Sequence, residues 1–237
     1  RNSLTPWSYS GKPMVSSERD LERVLGLQPD LVLYNRVGTL DSGVDRLREA
    51  GIPIFDLGPM LGVSSLIGDL RTVATLAQVP ERGDQIARTW LARLERLASH
   101  IPEDQRPRAL YLGLHGGKVF GGTRGSSYYD LLRYAGLVDV AAAEYTGWPA
   151  YDAEQVLALD PDLIVTQSET VDTVCDKVGL EQLRACRGVG GARIVGVPAA
   201  VLVDPGFGVL DSAELLHEAV FGSRGATTLK PRITPLR

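Results

Sequence analysis

The chain has 237 residues, 44% of them hydrophobic and 23% charged, with a formal net charge of -4 and a sequence pI near 5.5. That length can bury a substantial core as one large domain or two small ones, and the composition is that of an ordinary globular protein. The weakly acidic balance offers no basic field for nucleic acid or an anionic membrane surface, and no run reaches the roughly 18 apolar residues of a membrane span. No charged-then-apolar leader opens the chain, so an exported form has had its signal removed.

Residues 1–17 have no period and carry Pro6, Gly11 and Pro13, which predicts extended loop holding two large aromatics, Trp7 and Tyr9. Residues 21–36 predict a short amphipathic helix, a Leu-x-Pro-Asp turn and a buried strand, since proline cannot continue a helix. Residues 45–50 read as the end of a helix capped by a left-handed Gly51, followed by a strand at 52–55. Leu66, Ile67, Leu70, Val73, Ala74 and Ala77 form a helical stripe over 64–78. Residues 80–100 give the longest helical signal: Pro80 and Glu81 suit its first turn, and Ile86, Trp90, Leu91, Leu94 and Leu97 line one side. A strand at 109–112 then opens a new lobe, and Gly116, Gly117, Gly121, Gly122 and Gly125 predict a glycine-rich loop or hairpin. A helix at 127–136, an irregular stretch at 138–150, a helix including 180–185, a strand at 193–197 and a last helix at 212–221 follow. Residues 223–237 read as a polar tail.

The stretch at 21–36 returns at 153–168, 132 residues later. Glu22/Glu154, Val24/Val156, Leu25/Leu157, Leu27/Leu159, Pro29/Pro161, Asp30/Asp162 and Leu31/Leu163 are identical pairs. So long a period points to duplicated lobes rather than a solenoid. The continuous apolar runs after each proline are those of strands covered on both faces. In the second lobe a strand lies about fifty residues upstream of Pro161-Asp162, whereas only 28 residues precede Pro29-Asp30. Equivalent lobes therefore imply a first lobe truncated at its N-terminus by about 20–25 residues. Cys175 and Cys186, eleven residues apart, lack the spacings of a zinc site. They are either a disulfide or two small core residues.

The ordered set LERVLGLQPDLVLYN, LREAGIPIF, a long helix, RALYLG, YYDLLRYAGLVDVAA, WPAYDAEQVLALDPDLIVT and LEQLRACRGVGGARIVGVP resembles the ABC-transporter solute-binding proteins of the cobalamin and ferric-siderophore type, the class III periplasmic binding proteins. The resemblance covers nearly the whole chain from about Val15 to Gly222. It implies an α/β fold of two Rossmann-like lobes with parallel central sheets joined by one long rigid helix. Residues 1–79 are then the incomplete first lobe, 80–101 the linking helix, 102–222 the second lobe and 223–237 the tail. It further implies export to the periplasm or cell surface, capture of a metal chelate (ferric siderophore, haem or corrinoid) between the lobes, and delivery to a membrane permease. The chain is then expected to be a monomer with no cofactor, no nucleic-acid partner and no catalytic role. In that family an acidic residue on each lobe pairs with permease arginines, and the matching positions here are Asp41 with Asp172 or its neighbour Glu169.

Ligand crevices of open α/β sheets lie beyond the carboxyl ends of the strands. That rule nominates Asn35, Arg36 and Gly58-Pro59, and in the second lobe His115-Gly116, Gln167-Ser168-Glu169 and Pro198. Tyr128, Tyr129, Tyr134, Tyr145, Trp148 and Tyr151 fall within 24 residues of a chain only 6% aromatic. With Trp7, Tyr9, Phe207 and Arg124, they suit a flat or bulky organic ligand, since Tyr and Trp offer area with a polar tip and Arg pairs or stacks. Tyr129 and Tyr134 read equally as helix core, and Arg36 and Arg124 as exposed surface. The vitamin B12-binding members carry aromatics just before the first repeat and at its strand end, where this chain has Ser16 and Asn35. That departure ranks a corrinoid below a siderophore or haem. A metal-ion-binding protein of the same architecture is the alternative, with His115 alone of His100, His115 and His217 placed for it. A small α/β enzyme is a more distant one: residues 113–118 (GLHGGK) fit neither a phosphate loop nor a nucleophile elbow.

Overall fold

In the computed structural model of the chain, which describes residues 13, 21–36, 42–176, 179–202 and 206–222, the two copies of the repeat fold alike. The first forms α1 (Leu21–Gly26) and β1 (Val32–Arg36); the second forms α6 (Ala153–Leu159) and β8 (Leu163–Gln167). Each helix is followed by a left-handed residue directly before the proline, Gln28 at φ 47° and Asp160 at φ 40°. That conformation closes a helix by turning its last carbonyls inward. Burial separates the copies. Ile164 and Val165 of β8 are 0% exposed, whereas Leu33 of β1 is 42% exposed. The cause is position: β8 lies between two strands, while β1 pairs with one described neighbour.

Contacts divide the chain into residues 1–60 and 61–237. In the first unit β1 pairs in parallel with β2 (Ile54–Pro59), from Val32 opposite Ile54 to Arg36 opposite Pro59. The helix α2 (Ser42–Glu49) buries Val44 and Leu47, and Gly51 follows it at φ 79°.

The second unit starts with α3 (Val63–Leu76) and α4 (Pro80–Ser99). Their crossing is close: a Cβ on Gly83 would lie 2.4 Å from the Ala74 Cβ. Val63 and Ile67 of α3 share one core with Ala87, Trp90, Leu94 and Leu97 of α4. The division at 60/61 keeps α3 and α4 together, and the apolar faces of both helices are covered by this unit.

Its sheet contains β3 (Arg108–Tyr111), β6 (Val138–Asp139), β8 and β9 (Arg193–Val197), in the order β6-β3-β8-β9 and parallel throughout. Successive side chains alternate between two cores. Ala109, Tyr111, Leu163 and Val165 face the core built with α4, α5 (Ser127–Tyr134) and α9 (Gly208–Phe221). Leu110, Leu112 and Ile164 face the other, with Val156 and Leu159 of α6. Both faces are covered, as the apolar runs predicted. The glycine-rich stretch is a hairpin, β4 (Gly113–His115) and β5 (Lys118–Phe120), extended by β7 (Ala150–Tyr151).

The helix expected over 180–185 is interrupted. A 3-10 turn (Leu180–Gln182) and α7 (Arg184–Arg187) are separated by an extended Leu183, and Leu180, Leu183 and Ala185 all enter the second core. Residues 138–150, expected to be irregular, hold β6, a 3-10 turn (Val140–Ala143) and the start of β7. A short helix α8 (Ala199–Leu202) follows β9, and α9 starts four residues before the helix expected at 212. Cys175 and Cys186 form a disulfide, S–S 2.02 Å, tying the turn at Val174–Asp176 to α7. The predicted tail lies outside the described residues.

Candidate functional site

From β3 the chain moves to β6 on one side, then crosses to β8 on the other, so the sheet order reverses between β3 and β8. Beyond the carboxyl ends of strands at such a switch point the two flanking connections diverge and leave a crevice. A pocket of about 340 Å³ lies there, lined by Tyr111, His115, Phe120, Trp148 and Gln167 with Gly113, Leu114 and Gly121. Thr166, next to Gln167 and fully buried in β8, ties the strand ends together: its hydroxyl donates to the Leu112 carbonyl at 2.8 Å and pairs with the Thr170 hydroxyl at 2.8 Å.

The aromatic wall is layered. Tyr111 stacks on Tyr128, centroids 3.7 Å apart and planes 14° from parallel, and the Trp148 ring stands at 85° to Tyr128 with centroids 5.1 Å apart. The perpendicular Tyr128–Trp148 pair is the arrangement ring quadrupoles favour, whereas Tyr111 and Tyr128 lie nearly face to face and are held so by burial. Glycine makes the stack possible: a Cβ on Gly122 would lie 2.7 Å from the Tyr128 ring, and one on Gly113 3.0 Å from the Tyr111 hydroxyl. Burial, and after it the adjacent Tyr128 phenol, push Tyr111 well above the ordinary tyrosine value. Burial also raises Tyr128, against the bond from Tyr111. Both therefore remain neutral phenols. Tyr111 and Tyr128 are 4% and 6% exposed, but Trp148 is 57% exposed and is the ring most available to a ligand.

The expected site residues are distributed unevenly. His115, on the exposed end of β4 opposite Lys118, and Trp148 line the pocket, and Tyr128 backs it. Arg124 is exposed in the turn before α5. Tyr151, expected at the ligand, is 7% exposed on β7 and packs in the second core with Tyr145 edge-on. Phe207, 42% exposed, stands at 86° to Trp90 of α4 and does not line the pocket. Asn35, in the first unit, pairs with Gly58 within the β1–β2 register, and the Arg36 side chain lies outside the description. Trp7, Tyr9 and Asp41 lie outside the described residues. Glu169 accepts from the Ala199 backbone N–H at the start of α8, at 3.3 and 3.4 Å, and Asp172 is exposed. Tyr129 is half-buried, and Tyr134 is buried with the Arg133 guanidinium 5.1 Å from its ring centre.

Tyr111 and Phe120 were missed by sequence reasoning. Tyr111 is the last residue of its strand, so the carboxyl-end rule applied one residue earlier finds it. Phe120 alternates with Val119 in a three-residue strand, too short for a period to register.

The comparisons with known proteins agree with this architecture. A family described as periplasmic binding protein matches residues 15–191. The vitamin B12-binding protein of Yersinia pestis (strain Pestoides F) is 29% identical over 158 residues, 65% of this chain and 55% of that protein. That of Salmonella typhimurium (strain LT2) is 29% identical over 147 residues, 62% of this chain and 54% of that protein. The chain thus spans about half the length of these curated relatives. Among solved structures, the periplasmic heme-binding protein BhuT in complex with two hemes superposes with a TM-score of 0.72 at 22% identity, covering 92% of this chain and 86% of that one. The apo form of the heme-binding protein RhuT from Roseiflexus sp. RS-1 gives 0.68 at 22%, covering 84% and 80%. With its parallel α/β sheet and a family match over most of its length, the chain belongs to the periplasmic binding protein family.

Proposed function

We propose that the protein is the extracytoplasmic solute-binding component of an ABC importer, and that the pocket beyond β3 and β8 takes a planar metal chelate of the tetrapyrrole kind. The observation that carries this reading is the exposed Trp148 ring, seated on the neutral Tyr128–Tyr111 stack and bordered by Phe120. Such a wall offers flat apolar area and no fixed charge, which suits a conjugated macrocycle better than a highly anionic siderophore. His115 and Gln167 are the polar side chains at its edge. The relatives and neighbours bind vitamin B12 and heme by their descriptions, which supports the same ligand class. Delivery goes to a membrane permease met in the periplasm, with Glu169 or Asp172 of the second unit and Asp41 of the first as its acidic contacts.

The test is titration of the purified protein with haemin, cyanocobalamin and a ferric catecholate, read by thermal shift and ligand absorbance. A tetrapyrrole at a hundredfold excess over Kd stabilises by about 2.7 kcal/mol. Trp148→Ala weakens that ligand by about tenfold, consistent with the loss of one stacked ring. Equal tetrapyrrole affinity in wild type and Trp148→Ala, or no stabilisation by any of the three ligands, refutes the reading.

A further inference from the structure

Trp148 is more than half exposed, so its own burial cannot hold the ring in place. Its position comes from the backbone around it. The Gly147 N–H donates to the Arg124 carbonyl at 2.7 Å, the Thr123 N–H to the Gly147 carbonyl at 3.0 Å, and the Gly121 N–H to the Pro149 carbonyl at 2.8 Å. The segment carrying Trp148 is thus hung on residues 121–124 by three backbone bonds, two at Gly147 before the indole and one at Pro149 after it.

Residues 121–124 need an anchor of their own, and Thr123 supplies it. It is 0% exposed, and its hydroxyl donates to Asp139 Oδ2 at 2.5 Å. Asp139 ends β6, which pairs with the central strand β3, and its other oxygen accepts from the Ala141 N–H at 2.9 Å. The carboxylate is 9% exposed and uses both oxygens, so the sheet, the turn after β6 and the Trp148 segment meet at one group. A buried carboxylate accepting two hydrogen bonds has little freedom to move, and the groups it holds share its rigidity.

We infer that Thr123 and Asp139 are positioning residues for Trp148, transmitting the rigidity of the sheet to the aromatic platform of the proposed pocket without touching the ligand. The affinity part of this inference rests on the ligand reading above; the placement of the ring does not. The protein labelled with 5-fluorotryptophan separates them. It contains three tryptophans, and the fluorine resonance lost in Trp148→Phe identifies the one that matters. In Thr123→Val, which keeps the shape and removes the hydroxyl, the Trp148 resonance moves toward the solvent-exposed position while that of Trp90 stays, and haemin affinity falls about fivefold. Thr123→Ser keeps the hydroxyl and restores both within about twofold. Asp139→Ala, which removes both acceptor oxygens, shifts the same resonance and serves if the valine variant does not fold. An unmoved Trp148 resonance in a folded Thr123→Val or Asp139→Ala protein overturns the inference. A moved resonance with unchanged haemin affinity leaves the placement standing and refutes the ligand reading instead.

Discussion

Substituting Gly83 by alanine sets two opposed effects against each other at the crossing of α3 and α4. Within a helix, alanine in place of glycine is worth about 1 kcal/mol through backbone entropy. At this position the added methyl would lie 2.4 Å from the Ala74 Cβ, with the Leu70 carbonyl at 3.6 Å. Both colliding atoms are rooted on backbone, so no rotamer change relieves the clash, and the helices must part by about 1 Å. Overpacking of this kind costs about 1–3 kcal/mol, and the rigid partner argues for the upper end. Gly83→Ala is therefore less stable by about 1–2 kcal/mol. The double variant Ala74→Gly/Gly83→Ala moves the methyl to the other helix, exchanges one propensity for the other and returns to within about 0.5 kcal/mol of wild type. Urea unfolding of the four proteins of the cycle, compared at constant m, measures the coupling. A midpoint for Gly83→Ala at or above wild type refutes the argument, as does a double variant no better than the sum of the singles.

Two further outcomes are expected. Replacing Cys175 and Cys186 together by alanine lowers unfolding free energy by about 2–3 kcal/mol, the loop-closure value for so short a ring, and an unchanged denaturation midpoint contradicts it. Burial raises the Asp130 carboxyl above the ordinary carboxylate range, against its bond from the Val63 N–H at 2.6 Å and the nearby Arg133. The folded protein keeps that proton to higher pH than the unfolded chain does. Wild-type stability relative to Asp130→Asn is therefore greatest below the ordinary carboxylate value, falls as pH rises through the raised folded value, and is level above it. Unfolding curves of both proteins across that window check the sign; a relative stability that rises with pH contradicts it.

Much of the local structure was legible because it rests on short-range causes. A proline stops a helix wherever it stands, so both Leu-x-Pro-Asp turns and the strands beyond them followed from the repeat alone. The helix at Pro80–Ser99 and the strand at Arg193–Val197 followed from periodicity and apolar runs in the same way. His115 and Trp148 were within reach because the carboxyl-end rule and loop position are also local signals.

What only the tertiary structure decided concerns which faces meet. Identical residues in the two repeats differ in burial, Leu159 at 6% exposed against Leu27 at 44%, because β8 has neighbours on both sides and β1 has one described. The helix α3 joined the second unit because Gly83 lets it lie against α4, a contact no pattern within α3 encodes. Tyr128 and Tyr151 are both buried, yet one backs the pocket from α5 with Gly122 against its ring, and the other fills a core from β7 with Gly121 against its ring. The two cysteines, equally readable as a disulfide or as core residues, met because the turn at Val174–Asp176 folds back onto α7. Hydrophobic pattern and proline determine elements from within a few residues. Pairing partners, and with them the pocket, are set by contacts between residues far apart in the chain, where the sequence carries no local record of the choice.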